Sequence, residues 1–126
     1  MKKQKSGSII NMGSIYGVVG PDFSIYEGTP MTMPGAYSAI KGGILNFTRY
    51  LASYYGKDHV RVNAISPGGI KDKQPKSFIT RYNQKCPLGR MGEVDDIIGA
   101  LIYLASDASG YMTGQNLCID GGWTSV

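Results

Sequence analysis

Three short apolar runs, separated by two stretches with helical spacing, constrain this chain more than any other feature. Ser8-Ile9-Ile10-Asn11-Met12 reads as a strand closed by Gly13. Its near-continuous apolar character predicts cover on both faces, as in a parallel sheet. Val60 to Ile65 reads as a second strand and Asn116 to Asp120 as a third, each ended by a glycine turn, Ser66-Pro67-Gly68-Gly69 and Gly121-Gly122. Between the first two, Pro34 to Tyr55 has the pattern of a long helix, with proline in its first turn. Ile40, Ile44, Phe47 and Leu51 recur at helical spacing and predict a buried stripe. Glu93 to Ala105 is the second helix, with an apolar face of Val94, Ile97, Ile98, Leu101 and Leu104. The acidic Glu93, Asp95 and Asp96 suit its N-terminus.

Strand, helix, strand, helix, strand is the order of an α/β parallel sheet with right-handed crossovers. Three strands are few for such a sheet, and the first would keep an open edge. The expectation is one domain over residues 1–126, half of a doubly wound parallel-sheet fold. Met1 to Lys5 would be the tail of a helix that begins earlier.

The remaining segments read as connections. Residues 17 to 34 contain Gly17, Gly20, Pro21, Gly28, Pro30 and Pro34 and read as a loop. Residues 71 to 92 are polar and irregular, with a short helix around Ser77 to Gln84. Gly42 and Gly43 fall inside the long helix, where each costs about 1 kcal/mol against alanine. Close approach of another backbone would compensate.

Composition excludes several classes. With 42% hydrophobic and 17% charged residues the chain is globular and not disordered. No apolar run approaches a membrane span. Met1 is followed by Lys2, Lys3, Gln4 and Lys5, and Ile9-Ile10 is too short for a signal core, so the expectation is cytoplasmic. The net charge of +4 comes partly from that lysine cluster. It is read as a solvated end, with no nucleic-acid partner. Cys86 and Cys118 have no Cys or His at metal-ligand spacing. Cys118 is read as a small core residue, and His59 as a surface residue.

Gly13 to Gly20 follows a strand and is glycine-rich. A dinucleotide fingerprint needs a helix N-terminus directly afterwards to present N–H groups to a pyrophosphate. Pro21, Gly28 and Pro30 follow instead, so the segment is read as a substrate-side loop.

Tyr37-Ser38-Ala39-Ile40-Lys41 places a phenol and an ammonium four residues apart, on one helix face. A phenol near pKa 10 is a poor acid–base catalyst at neutral pH, and a neighbouring cation favours its ionised form. Ser14 stands at the end of the first strand, where ligands collect in α/β sheets. It can orient a substrate oxygen or simply form a turn. Pro67-Gly68-Gly69 reaches the same sheet edge.

Asn11-Met12-Gly13-Ser14, the Tyr37 to Lys41 segment, Arg61-Val62-Asn63-Ala64-Ile65-Ser66-Pro67-Gly68 and Thr113 to Gly122 occur in an order and spacing that resemble the short-chain dehydrogenase/reductase family. Pro87-Leu88-Gly89-Arg90 before an acidic helix start is similar too. The resemblance spans essentially the whole chain and implies that it is the C-terminal, Rossmann-like half of the doubly wound fold. It implies an oxidoreductase using NAD or NADP on a small-molecule alcohol or ketone. Tyr37 would be the general acid or base. Lys41 would hold the nicotinamide ribose and favour the phenolate, and Ser14 would orient the substrate oxygen. Pro67, Gly68 and Ile70 would line the nicotinamide pocket, and residues 71 to 88 would form a substrate-selecting lid. Asn63 is read as structural. The long helix implies a homo-oligomer.

The family's glycine-rich phosphate loop and ribose selector have no counterpart here, and Asp72 replaces a usual threonine. The long interval from Ser14 to Tyr37, with Tyr26, Glu27 and Thr29, looks similar to members acting in bacterial surface-sugar pathways. The competing expectation is a non-catalytic, truncated or split fragment acting as an interaction unit.

Overall fold

The computed structural model describes residues 1–126. Its sheet has three parallel strands in the order β1 (Gly7–Met12), β2 (Val60–Pro67), β3 (Asn116–Ile119). Gly7 pairs with Val60 and Met12 with Ile65; Ala64 pairs with Asn116 and Pro67 with Ile119. β2 is central and almost wholly buried. β1 is an edge strand and only half-buried along its length, so the expected cover on both faces is incomplete.

α1 (Gly35–Tyr55) and α3 (Asp95–Ala105) lie on opposite faces of the sheet. Asn11 Nδ2 donates to Thr48 Oγ1 on α1 at 2.8 Å, whereas its neighbours of opposite parity turn to α3, Ser8 Oγ donating to the Leu104 carbonyl at 2.7 Å. Side chains alternate along a strand, so this contrast fixes the two faces. Both crossovers step the same way across the sheet but over opposite faces. They therefore have opposite hands, and the expectation of two right-handed crossovers holds for one. The second connection detours through α2 (Lys76–Lys85) before reaching α3, so it is not the direct strand-to-helix feed on which the rule rests.

The buried face of α1 is Leu45, Thr48 and Ala52, not the expected stripe. Ile40 and Phe47 are 63% and 54% exposed. Phe47, Tyr50 and Tyr54 stack in series along that outer face. α3 departs in the same way: Leu104 is buried, but Val94, Ile98 and Leu101 are exposed. Apolar period locates a helix face but not the partner that covers it.

The segment 17–34 is more ordered than a plain loop. It carries short 3-10 turns at Ile15–Gly17 and Phe23–Tyr26, and buries Ile25 and Tyr26. The second turn is tied to α2. Lys85 pairs with Asp22, Arg81 donates to the Glu27 carbonyl, and the Tyr26 and Phe78 rings lie 5.3 Å apart. The N-terminal residues form a turn rather than a helix tail, and Lys5 pairs with Asp58. Cys118 is exposed and Cys86 is the buried cysteine, because β3 is a sheet edge and Cys86 packs under the Asp120–Gly121 backbone.

Asn63 is fully buried. It donates to the Met112 carbonyl and accepts from the Gln115 N–H, a structural role. His59 is exposed, with a left-handed backbone. No helix is long and apolar enough to cross a membrane.

Candidate active site

The carboxyl ends of β1 and β2 and the first turns of α1 meet around one cavity. Gly13 carries the chain off β1. Its N–H donates to the Ile65 carbonyl at 2.7 Å, and a Cβ there would fall 2.5 Å from Ser66 Oγ and 2.9 Å from Leu45 Cδ2. Only glycine passes between β2 and α1 at that point. Ser14 follows, buried, with Oγ accepting the Tyr16 N–H at 3.2 Å. It is thus a turn-former, yet its own hydroxyl proton remains free to meet a ligand oxygen.

Tyr37 and Lys41 sit one turn apart on α1. Lys41 Nζ lies 5.6 Å from the Tyr37 ring centroid and donates to the Met12 carbonyl at 3.0 Å. The ammonium is thereby anchored to the end of the strand that delivers Ser14. Gly17 brings these pieces together: a Cβ on it would fall 2.7 Å from the Lys41 carbonyl group. The backbone approach expected at Gly42 and Gly43 therefore exists at Lys41–Gly42, but Gly17 is the residue that requires it. Gly43 faces open space.

Past Pro67, Gly68 N–H donates to the Ile119 carbonyl at 2.9 Å and Gly69 N–H to Tyr82 Oη at 2.7 Å. Ile70 bridges to Gly92, and its carbonyl accepts from Gln74. The Ile70 N–H has no acceptor within the chain. Ser14, Tyr37, Gly68 and Ile70 line a cavity of about 210 Å³. Pro67 ends β2 outside the lining, and Lys41, beside the Tyr37 ring, is not part of it either. Asp72 is not part of the lining either; its N–H is held by Gln74.

The opposite wall escaped sequence reasoning. It is aromatic and methionine-rich, with Tyr16, Tyr26, Phe78 and Tyr82 beside Met31 and Met91. The clustering of tyrosine and methionine in residues 16–33 was the available signal. Tyr16 and Tyr26 share a hydrogen bond of 2.9 Å between their hydroxyls. Burial, then the bond to Tyr26, raises the Tyr16 pKa well above the phenol range, and burial raises that of Tyr26. Burial likewise pushes Tyr82 up to about 12. These phenols stay neutral across the physiological range. No group of three or more His, Cys, Asp or Glu side chains could hold a metal ion.

The family model described as enoyl-(acyl carrier protein) reductase matches residues 1–124. Post-translational flagellin modification protein A of Campylobacter coli is 43% identical over 97% of this chain and 48% of its own length. The 3-oxoacyl-[acyl-carrier-protein] reductase FabG of Chlamydia trachomatis is 39% identical over 97% of this chain and 47% of its own. A short-chain dehydrogenase from Leptospira borgpetersenii, solved with bound NAD+, superposes with a TM-score of 0.90 at 48% identity, covering 98% of this chain and 47% of that one. A gluconate 5-dehydrogenase from Burkholderia cenocepacia, in complex with NADP and tartrate, gives 0.84 at 28% identity, covering 99% and 48%. The chain belongs to the short-chain dehydrogenase/reductase family, and its fold is part of the doubly wound α/β architecture. It spans about half the length of the curated relatives it matches.

The residues present fit the nicotinamide end of such a cofactor. The uncommitted Ile70 N–H lies in the cavity lining, where a carboxamide would find a donor, whereas the space beside Gly68 is already filled by Tyr82 and Asp120. The phosphate end has no such cradle here, because the turn after Gly13 is a three-residue 3-10 turn and not a helix N-terminus.

Proposed function

We propose that this chain supplies the catalytic residues of an NAD- or NADP-dependent oxidoreductase acting on a small-molecule alcohol or ketone. One observation carries the reading: Ser14 and Tyr37, from two different elements, face the same strand-end cavity. Nicotinamide supplies hydride chemistry when bound, and Ile70, Gly68 and Lys41 would hold it. In this reading Tyr37 gives its phenolic proton to the carbonyl oxygen in reduction and takes the carbinol proton in oxidation. Ser14 donates to the same oxygen and orients it. Lys41, anchored on Met12, stabilises negative charge on the phenol oxygen while the proton is away.

The substrate class we favour is sugar-derived. Its support is the tyrosine-bearing Ser14–Tyr37 interval, which brings hydroxyl groups to the cavity wall. Residues 1–126 would act as one cytoplasmic domain, without nucleic acid, and associate through the exposed face of α1.

A second reading has its own support. The apolar outer faces of α1 and α3 suit an interaction unit that keeps the motif without turnover. Titration with NADH and NADPH, followed by nicotinamide fluorescence, separates the two. Saturable micromolar binding would rule out the interaction unit, and its absence favours it.

A further inference from the structure

Tyr26 lies in the segment between Ser14 and Tyr37, and nothing in the proton-transfer scheme uses it. It is nonetheless among the best-buried side chains at the cavity, 7% exposed, and its Tyr16 partner is 8% exposed. Their hydroxyls lie 2.9 Å apart and have no other hydrogen-bond partner in the chain. Two phenols carry two protons, but the bond between them uses one. The second proton is left without an acceptor in a pair that is more than nine-tenths buried. A buried donor without a partner destabilises the fold, and an oxygen from a ligand relieves that cost.

The rest of the wall decides what kind of ligand. None of its side chains is charged, and aromatic and methionine groups dominate it. A carboxylate or phosphate seated there would lose hydration with no cation to compensate. A neutral hydroxyl on an apolar ring meets both demands, with faces packed on the aromatics and oxygen on the phenols. At about 210 Å³ the cavity is below the roughly 300–1,000 Å³ of drug-sized ligand sites, so it takes a small molecule or one end of a larger one.

We infer that the Tyr16–Tyr26 pair is a subsite for a second, uncharged hydroxyl or carbonyl of the substrate, with the two tyrosines together determining specificity. The inference rests on the oxidoreductase reading for the word substrate, but the subsite is defined by binding alone. It selects neutral polyols and their ketones over hydroxy acids at the reacting end.

The test uses the full chain and the single tryptophan. Trp123 stacks on Tyr82, a cavity residue, with ring centroids 4.4 Å apart, so its fluorescence reports occupancy without turnover. The probes are cyclohexanol, the cyclohexanediol isomers and hydroxycyclohexanecarboxylate. At least one diol is expected to bind roughly three- to tenfold tighter than cyclohexanol, the worth of one net hydrogen bond. The hydroxy acid is expected to bind more weakly than cyclohexanol. Replacing both Tyr16 and Tyr26 by Phe removes both hydroxyls, keeps the ring at 26 against Phe78 and should erase the diol advantage while leaving cyclohexanol affinity in place. Either single variant leaves one phenol with an unpaired proton and should keep the advantage, which serves if the double variant folds poorly. Hydroxy-acid binding as tight as the diols', no saturable binding of any diol, a diol advantage that survives loss of both hydroxyls, or one that vanishes in both single variants overturns the inference. An absence of hydride transfer would count against the catalytic reading and leave this ratio untouched.

Discussion

Gly17 rests directly on the backbone of Lys41, so close that a single Cβ would fall 2.7 Å from the lysine carbonyl carbon and oxygen. This contact locks the turn after Ser14 onto the helix that carries Tyr37. Lys41 Nζ returns across the same junction to the Met12 carbonyl. Strand end, turn and helix are thereby fixed relative to one another before any ligand arrives.

Gly17→Ala should therefore separate Ser14 from Tyr37. Overpacking against backbone costs about 1–3 kcal/mol. Urea unfolding is expected to show a loss in that range. Gly20→Ala, at a position with no heavy atom nearby, should stay within about 0.5 kcal/mol of the parent. Equal stability of the two variants would mean that the turn does not need its seat on α1.

The Tyr82 hydroxyl holds the turn after β2 by accepting the Gly69 N–H. Tyr82→Phe leaves that donor unpaired and should cost about 1–3 kcal/mol. Hydrogen exchange at Gly69 should quicken more than exchange in β2 itself. Unaltered exchange at Gly69 would mean that the phenol only fills space.

Arg90 grips Asp96 with two bonds, of 2.6 and 2.9 Å, and the Glu93 N–H adds a third. Arg90 first, and then that N–H, hold the Asp96 carboxyl well below the usual carboxylate range. The folded state thus binds this proton less readily than the unfolded chain. Its contribution to stability is complete above the unfolded carboxylate value, near about 4, and fades as pH falls towards the folded value. Asp96→Asn should unfold more easily than the parent near neutral pH, with the gap narrowing below about pH 4. Urea melts across that range measure it, and a gap independent of pH would rule out a charge effect.

The outer face of α1 should control association. Phe47→Glu places a charge beside the stacked Tyr50 and is expected to shift sedimentation towards smaller species. Because Phe47 is exposed, the melting temperature should change little. A sedimentation profile unchanged by the substitution would move the interface elsewhere.

Much of this was legible in the residues. Element order, the ends of α1 and the strand-end positions of Ser14 and Gly68 follow from periodicity and glycine placement. Burial was less legible, because Ile40 and Phe47 obey helical spacing yet face outwards. Spacing records that a face is apolar, not what covers it. Cys118 misled for a related reason: an apolar run reads as core even where its strand is a sheet edge. The Tyr16–Tyr26 pair was hidden because two tyrosines ten residues apart meet only when the intervening chain folds back. No local pattern encodes that return.

The central claim is that Tyr37 moves the proton. The most direct measurement is oxidation of a cyclohexanediol with NAD+ or NADP+ by the parent and by Tyr37→Phe, followed by nicotinamide absorbance, with circular dichroism to confirm folding. Wherever the parent turns over, a loss of about 10²–10⁴-fold in kcat is expected for the variant. A folded Tyr37→Phe protein that turns over at the parental rate would contradict the claim.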